Sequence, residues 1–191
     1  QLDLGEHRRP QDGHSGVDID GRPIDLRVSV LPTSHGESVA IRILDREIGT
    51  LSIAQLGLSE SQLREVRAMI ESPCGLVLVT GATGAGKTTT LYALLRHLAG
   101  AHRKIITVEN PIEYDLPGID QTQVNRKLGL DFATLVRSVL RQDPNVIMIG
   151  EVRDAETADA VVRAANSGRL VFATPHAIHC GAALESLIAL G

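Results

Sequence analysis

The segment Gly81-Ala82-Thr83-Gly84-Ala85-Gly86-Lys87-Thr88 constrains the fold of this chain more than any other stretch. It fills every fixed position of the pattern G-x-x-x-x-G-K-[ST]. An apolar run, residues 76–80, precedes it, and Leu91, Leu94, Leu95 and Leu98 follow at helical spacing. Strand, glycine-rich turn and helix in that order place the strand in a parallel sheet and the helix on one of its faces. At average residue usage such a match arises by chance in roughly one chain of this length in 150. The glycines let successive backbone N–H groups converge on phosphate oxygens, and the helix adds its positive end. Lys87 is expected at the β- and γ-phosphates and the Thr88 hydroxyl at Mg²⁺, with Gly81, Ala82, Thr83, Gly84, Ala85, Gly86 and Thr89 completing the cradle. The expected ligands are ATP and Mg²⁺.

Downstream, apolar runs at residues 104–109, 146–150 and 170–174 read as further strands. Phe132, Leu135, Val136, Val139 and Leu140 mark a helix between them; residues 155–165 mark another with Asp154 as N-cap, and residues 182–190 a last one. Upstream, Ser59 and Gln62 form a capping-box pair ahead of the stripe Leu63, Val66, Met69 and Ile70, and Pro73 ends that helix. Apolar strands separated by helices predict an α/β fold with a mostly parallel sheet covered on both faces. The C-terminal ends of such strands share one crevice, and two acidic clusters sit there. Val146-Ile147-Met148-Ile149-Gly150-Glu151 closes on a carboxylate suited to hold Mg²⁺, directly or through water. Glu109 and Glu113 follow another strand in Val108-Glu109-Asn110-Pro111-Ile112-Glu113-Tyr114. One carboxylate in that crevice could orient or deprotonate an attacking water, and spacing alone leaves open which of the three does.

The first 46 residues follow a different pattern. Val17 and Ile19 alternate with Asp18 and Asp20 ahead of an Asp20-Gly21 turn. Ile24, Leu26, Val28 and Val30 then alternate with Asp25, Arg27 and Ser29, and Val39, Ile41 and Ile43 alternate with Ala40, Arg42 and Leu44. Residues 31–38, with Pro32 and Gly36, read as a loop between those runs. The prediction is a partial antiparallel unit with one buried face and Arg27 and Arg42 on the other. Residues 47–58 read as a linker and 59–191 as the phosphate-binding domain, and both ends of the chain read as cropped.

Composition excludes several classes. With 19 Lys+Arg against 23 Asp+Glu, the chain lacks the basic footprint of a nucleic-acid binder, and 2% aromatics cannot build base-stacking platforms. Cys74 and Cys180 form no C-x-x-C pair, so neither a disulfide framework nor a Cys-rich zinc site is expected. No apolar stretch approaches the ~20 residues that span a bilayer, and the chain reads as cytoplasmic. His7, His14, His35, His97 and His102 have no ligand-like spacing and are expected at the surface or in caps.

Taken together, four blocks of residues resemble the secretion ATPase superfamily, in its type II secretion and type IV pilus assembly branch. The first is Asp25-Leu26-Arg27-Val28-Ser29 with His35-Gly36-Glu37 and Ile41-Arg42-Ile43-Leu44-Asp45-Arg46. The second is the glycine-rich loop continuing into Thr88-Thr89-Thr90-Leu91-Tyr92, and the third is the acidic box from Ile106 to Tyr114 with Gly118-Ile119-Asp120-Gln121. The fourth joins Leu140-Arg141-Gln142-Asp143-Pro144 and Gly150-Glu151-Val152-Arg153-Asp154 to a histidine box ending at His176. The resemblance implies a RecA-like P-loop ATPase core preceded by a small PAS-like antiparallel α+β domain, assembled as a hexameric ring. It implies that Glu113 is the catalytic glutamate and Glu151 the Walker B glutamate. By the same resemblance His176 is the histidine-box residue, Arg137 and Arg141 lie near the site, and Arg27 and Arg42 reach a nucleotide from the N-terminal domain. Asn110 stands where the family usually has Asp, and Pro175 where it has Leu. Ala177-Ile178-His179-Cys180 replaces a Thr-Asn-Asp run, so His179 competes with His176. The family's tetracysteine segment is expected beyond Gly191, and its membrane-platform docking segment ahead of the first residue.

The implied function is an ATP-hydrolysing motor subunit for protein secretion or pilus assembly, partnered by inner-membrane platform components, peripheral to that membrane and without direct nucleic-acid contact. Two alternatives accompany it: a nucleotide-binding module with little turnover in isolation, and a pilus-retraction or DNA-uptake ATPase of the same superfamily.

Overall fold

Antiparallel pairing organises the first part of the chain and parallel pairing the rest. The computed structural model describes residues 2–45, 51–100 and 103–190. The chain divides into two compact units, residues 1–50 and 51–191. The sequence-derived boundary at residue 46, and His102, lie outside the described residues.

In the first unit, β1 (Gln11–Ile19), β2 (Arg22–Thr33) and β3 (Gly36–Asp45) form an antiparallel sheet in chain order. The turn between β1 and β2 is the expected Asp-Gly pair. Asp20 and Gly21 both have positive φ, 53° and 80°, which matches the twist of the flanking strands, and Asp18 Oδ1 accepts the Gly21 N–H at 2.9 Å. Residues 31–38 are not a long loop: pairing continues to Thr33↔Gly36, so only Ser34 and His35 lie between the strands. Pro32 is tolerated because β1 pairs no further than Gln11↔Val30, which leaves one side of β2 open there. The expectation of a buried face is also corrected. Val39, Ile41 and Ile43 are 54%, 58% and 67% exposed, and Ile24 and Leu44 are the buried residues among those described in this unit. A sheet face is buried only against a second layer, and no helix occurs among the described residues of this unit.

The second unit is a five-stranded parallel sheet in the order β4-β8-β7-β5-β6, formed by β4 (Gly75–Leu78), β5 (Ile105–Glu109), β6 (Asp120–Gln123), β7 (Val146–Val152) and β8 (Leu170–Pro175). Strand alternation divides its side chains between two cores. Ile105, Met148, Leu170 and Phe172 meet α1 (Glu60–Glu71) and α2 (Lys87–Ala99) on one face. Ile106, Ile147, Ile149 and Val171 meet α3 (Phe132–Val139) and α4 (Ala155–Asn166) on the other, with α5 (Cys180–Leu190) adding Leu187 and Leu190. This is the α/β fold with a doubly covered parallel sheet that the periodicity predicts.

Caps start the helices where the sequence marks them. Ser59 and Gln62 complete a capping box on α1, and Asp154 accepts the Thr157 N–H at 2.8 Å at the start of α4. Asp154→Ala is expected to cost about 1 kcal/mol in urea denaturation, because it strands a donor on the buried Thr157. Two elements differ from expectation. Residues 51–58 are not mere linker: a 3-10 turn at Ile53–Gln55 buries Ile53 to 3% exposure in the α2-side core, with Leu56 packed against it. The strand β6, Asp-Gln-Thr-Gln, carries no apolar pattern, and it exists because its backbone pairs with β5.

Candidate active site

The glycine-rich loop leaves β4 and enters α2 at the C-terminal edge of the sheet. Gly84 and Gly86 have φ of 78° and 88°, a conformation that side chains resist, and Gly86 is the N-cap of α2. The loop is tied to the segment after β8: the Thr80 hydroxyl donates to Ala177 O, and Gly81 N donates to the same oxygen at 3.1 Å. The strand β4 itself ends at Leu78, two residues earlier than its apolar run suggests. Lys87 Nζ donates to Gly81 O at 2.8 Å and to Ala82 O at 2.9 Å, which holds the ammonium over the loop.

A cleft of about 90 Å³ opens beside α2, with Thr88, Glu109, Asn110, Glu113, Gly150 and Glu151 among its lining residues. All three candidate acidic residues and Thr88 therefore border one space. They are hard oxygen donors, the set Mg²⁺ prefers, beside a loop shaped for phosphate; these residues fit a magnesium–triphosphate pair.

Glu151 reaches the cleft through a register shift. Strict alternation along β7 would put it on the face of Ile147 and Ile149, away from α2. Between Ile149↔Ala173 and Val152↔Pro175, however, β7 carries one extra residue relative to β8. Val152 thereby takes the core position, 1% exposed, and Glu151 turns to the cleft. Arg153 then bridges two groups: it lies 2.7 Å from Glu151 Oε2, and its Nε donates to His176 Nε2 at 2.8 Å. His176 Nε2 is 3.8 Å from the same carboxylate oxygen. His179 has a different place, since its Nδ1 accepts the Ala182 N–H at 3.1 Å at the start of α5. Of the two competing histidines, His176 is the one beside Glu151.

Glu109 is 3% exposed and accepts from three side chains: the Tyr92 hydroxyl, Thr107 Oγ1 at 2.5 Å and Gln121 Nε2 at 3.0 Å. Gly150 permits this packing, because a Cβ there would lie 3.3 Å from Val108 O and 3.5 Å from Glu109 Cα. Tyr92, Thr107 and Gln121 are absent from the sequence-derived site. One signal for them was available: Thr107 shares a strand face with Glu109, two residues apart in an otherwise apolar run. Glu113 is half-buried on the following loop, and its N–H donates to the Tyr92 hydroxyl at 3.3 Å.

Arg137 and Arg141 do not line the cleft; both are exposed. Arg137 bonds Thr134 Oγ1 at 3.4 Å, and Arg141 bonds Arg137 O and Ser138 Oγ at 3.0 and 3.1 Å. In the first unit, Arg27 and Arg42 stand directly opposite each other across β2 and β3, and His14 on β1 faces Arg27. His7, His14, His35 and His97 are exposed, and His7 Nδ1 lies 2.9 Å from Glu37 Oε2.

The family described as type II/IV secretion system protein matches residues 1–191, the whole chain. The type II secretion system protein HxcR of Pseudomonas aeruginosa is 50% identical over 191 residues, all of this chain and 41% of that protein. The type II secretion system ATPase E of Vibrio cholerae is 49% identical over 176 residues, 92% of this chain and 35% of that protein. The chain thus spans about two fifths of the first of these relatives. Among solved structures, the pilus retraction motor PilT with bound ADP superposes with a TM-score of 0.80 at 32% identity, covering 96% of this chain and 52% of that one. Among the described residues no helix is long and apolar enough to cross a membrane. Matched along its whole length and sharing this fold, the chain belongs to the type II/IV secretion system protein family.

Proposed function

We propose that this chain is the ATP-hydrolysing part of a motor subunit that powers type II protein secretion or type IV pilus assembly. The observation that carries the chemistry is the single cleft bordered by Thr88, Glu113 and Glu151 beside the glycine-rich loop. The relatives' names, type II secretion system protein and type II secretion system ATPase, support the secretion reading. The proposal adds to it a ring of identical subunits, peripheral at the cytoplasmic side of the inner membrane, acting on platform components there.

In this mechanism the loop N–H groups and Lys87 hold the phosphates. Thr88 and Glu151 are the residues that would hold Mg²⁺, Glu151 directly or through water; when bound, the ion would supply charge neutralisation for the phosphates. Glu113 accepts the proton of the attacking water as the new P–O bond forms and the bond to the ADP oxygen breaks. Glu109 is unsuited to that task, since three donors already occupy its oxygens. Arg153 and His176 hold the Glu151 carboxylate in its turned position. Domain limits near residue 46 and a PAS-like first unit complete the reading. Arg27 and Arg42 add positive charge across a domain or protomer boundary.

Glu113→Gln and Glu151→Gln test it in the full-length protein, by ATP affinity and steady-state phosphate release. Glu113→Gln is expected to lower turnover roughly 10²–10³-fold with ATP affinity nearly kept, because a water-activating group acts chiefly in the transition state. Glu151→Gln is expected to raise the magnesium requirement as well. Parent-like turnover in Glu113→Gln would move the role to another carboxylate. ATP binding without phosphate release in the parent protein would favour the non-hydrolysing module.

A further inference from the structure

Tyr92 is 1% exposed, and its hydroxyl bonds in two directions. It donates to Glu109 Oε2 and accepts the Glu113 N–H at 3.3 Å. Burial, reinforced by the Glu109 charge, raises the phenol far above its ordinary pKa, so the proton stays on oxygen and both bonds keep their sense. The rest of the loop is pinned from β6. Gln121 accepts the Leu116 N–H at 2.7 Å and donates to Tyr114 O at 3.0 Å, while Gln123 accepts the Ile112 N–H at 3.2 Å. The backbone is thus held at Glu113 and on both sides of it. Tyr92 also stands four residues after Thr88 in α2, so the two side chains share one helix face.

We infer that Tyr92 is a positioning residue for Glu113: its hydroxyl, oriented by Glu109, fixes the loop carrying that carboxylate to the helix that carries Thr88. The inference rests on the reading that Glu113 acts on the attacking water. Packing alone does not require the hydroxyl. The ring meets Tyr114 edge-on, centroids 6.2 Å apart and planes at 77°, a contact phenylalanine retains. What phenylalanine loses is the donor to Glu109 and the acceptor for Glu113 N–H. The expected consequence is a displaced carboxylate and an intact triphosphate site.

The experiment compares Tyr92→Phe, Glu113→Gln and the double variant in the full-length protein, by steady-state and single-turnover ATP hydrolysis. Tyr92→Phe is expected to lower kcat roughly 10–100-fold with KM for ATP within about twofold, since a misplacement near 1 Å costs that much. In the Glu113→Gln background the same change should cost nothing further, because the group it positions is gone. Parent-like kcat in Tyr92→Phe beside a disabled Glu113→Gln overturns this inference alone. A proportional loss in both backgrounds also overturns it, since Tyr92 would then act by another route. Parent-like turnover in Glu113→Gln overturns the reading of Glu113 and this inference with it. Should Tyr92→Phe fail to fold, Gln123→Ala, on the exposed edge strand, is the second variant. It should lower kcat roughly 3–10-fold in the parent and not at all in Glu113→Gln, and parent-like kcat there overturns the inference.

Discussion

Lys87→Ala is expected to cut steady-state phosphate release by at least ~10³-fold and to weaken ATP binding roughly 10²-fold. Lys87 opens α2, and its Nζ lies within hydrogen-bond reach of two carbonyls of the loop, Gly81 O and Ala82 O. On the proposed reading a point charge there would meet phosphate oxygens held by the surrounding N–H groups, and its bonds to them would be charge-assisted. Its pull is greatest on the γ-phosphoryl oxygens as negative charge shifts during transfer, so turnover should suffer more than binding. Alanine is a strong helix former, and the loop carbonyls that lose a donor lie at the surface edge of the sheet, so the fold should persist. Isothermal titration with an ATP analogue, phosphate release and a thermal melt separate the three effects. Unchanged binding and turnover would remove the nucleotide reading of the loop.

Alanine at both Arg27 and Arg42 is expected to lower turnover by ~10³–10⁵-fold, the range for arginines supplied to a transferring phosphoryl group in other P-loop enzymes. Their register supports this more than their exposure does. Direct opposition across β2 and β3 places the two residues side by side in the sheet, and an anion shared between them would accept charge-assisted bonds from both. Mixed assemblies decide which subunit they serve. Subunits lacking both arginines, combined with Lys87→Ala subunits, should regain activity if a neighbour's arginines complete the intact loop, and should stay inactive if the arginines serve their own subunit. Full activity of the double variant by itself would end the idea.

Much of this architecture is written in short-range chemistry. The glycine-rich loop, the caps at Ser59 and Asp154 and the Asp20-Gly21 turn each depend on residues within a few positions of one another. Period-two alternation in 105–109 and 146–149 likewise divides the side chains between the two cores before any neighbour is known. The misreadings have a common cause. Residues 31–38 contain turn formers, yet the pairing of β2 with β3 carries both strands through them to Thr33↔Gly36. The strand β6 lacks any apolar pattern because it is an edge whose Gln121 and Gln123 hold a loop rather than fill a core.

The chain by itself determined the parallel core, the glycine-rich loop and the acidic residues at the strand ends, because propensity, periodicity and turn chemistry act over a few residues. Tertiary structure alone decided how those acids divide. Glu109 is occupied by Tyr92, Thr107 and Gln121, two of them distant in sequence, while Glu113 borders the cleft from a loop that Tyr92 and Gln121 help to hold. Glu151 enters the same cleft because β7 gains one residue against β8, and His176, rather than His179, stands beside it because Arg153 joins the ends of those two strands. A register shift and a donor's choice of carboxylate depend on which elements meet in space, and no local pattern encodes that meeting.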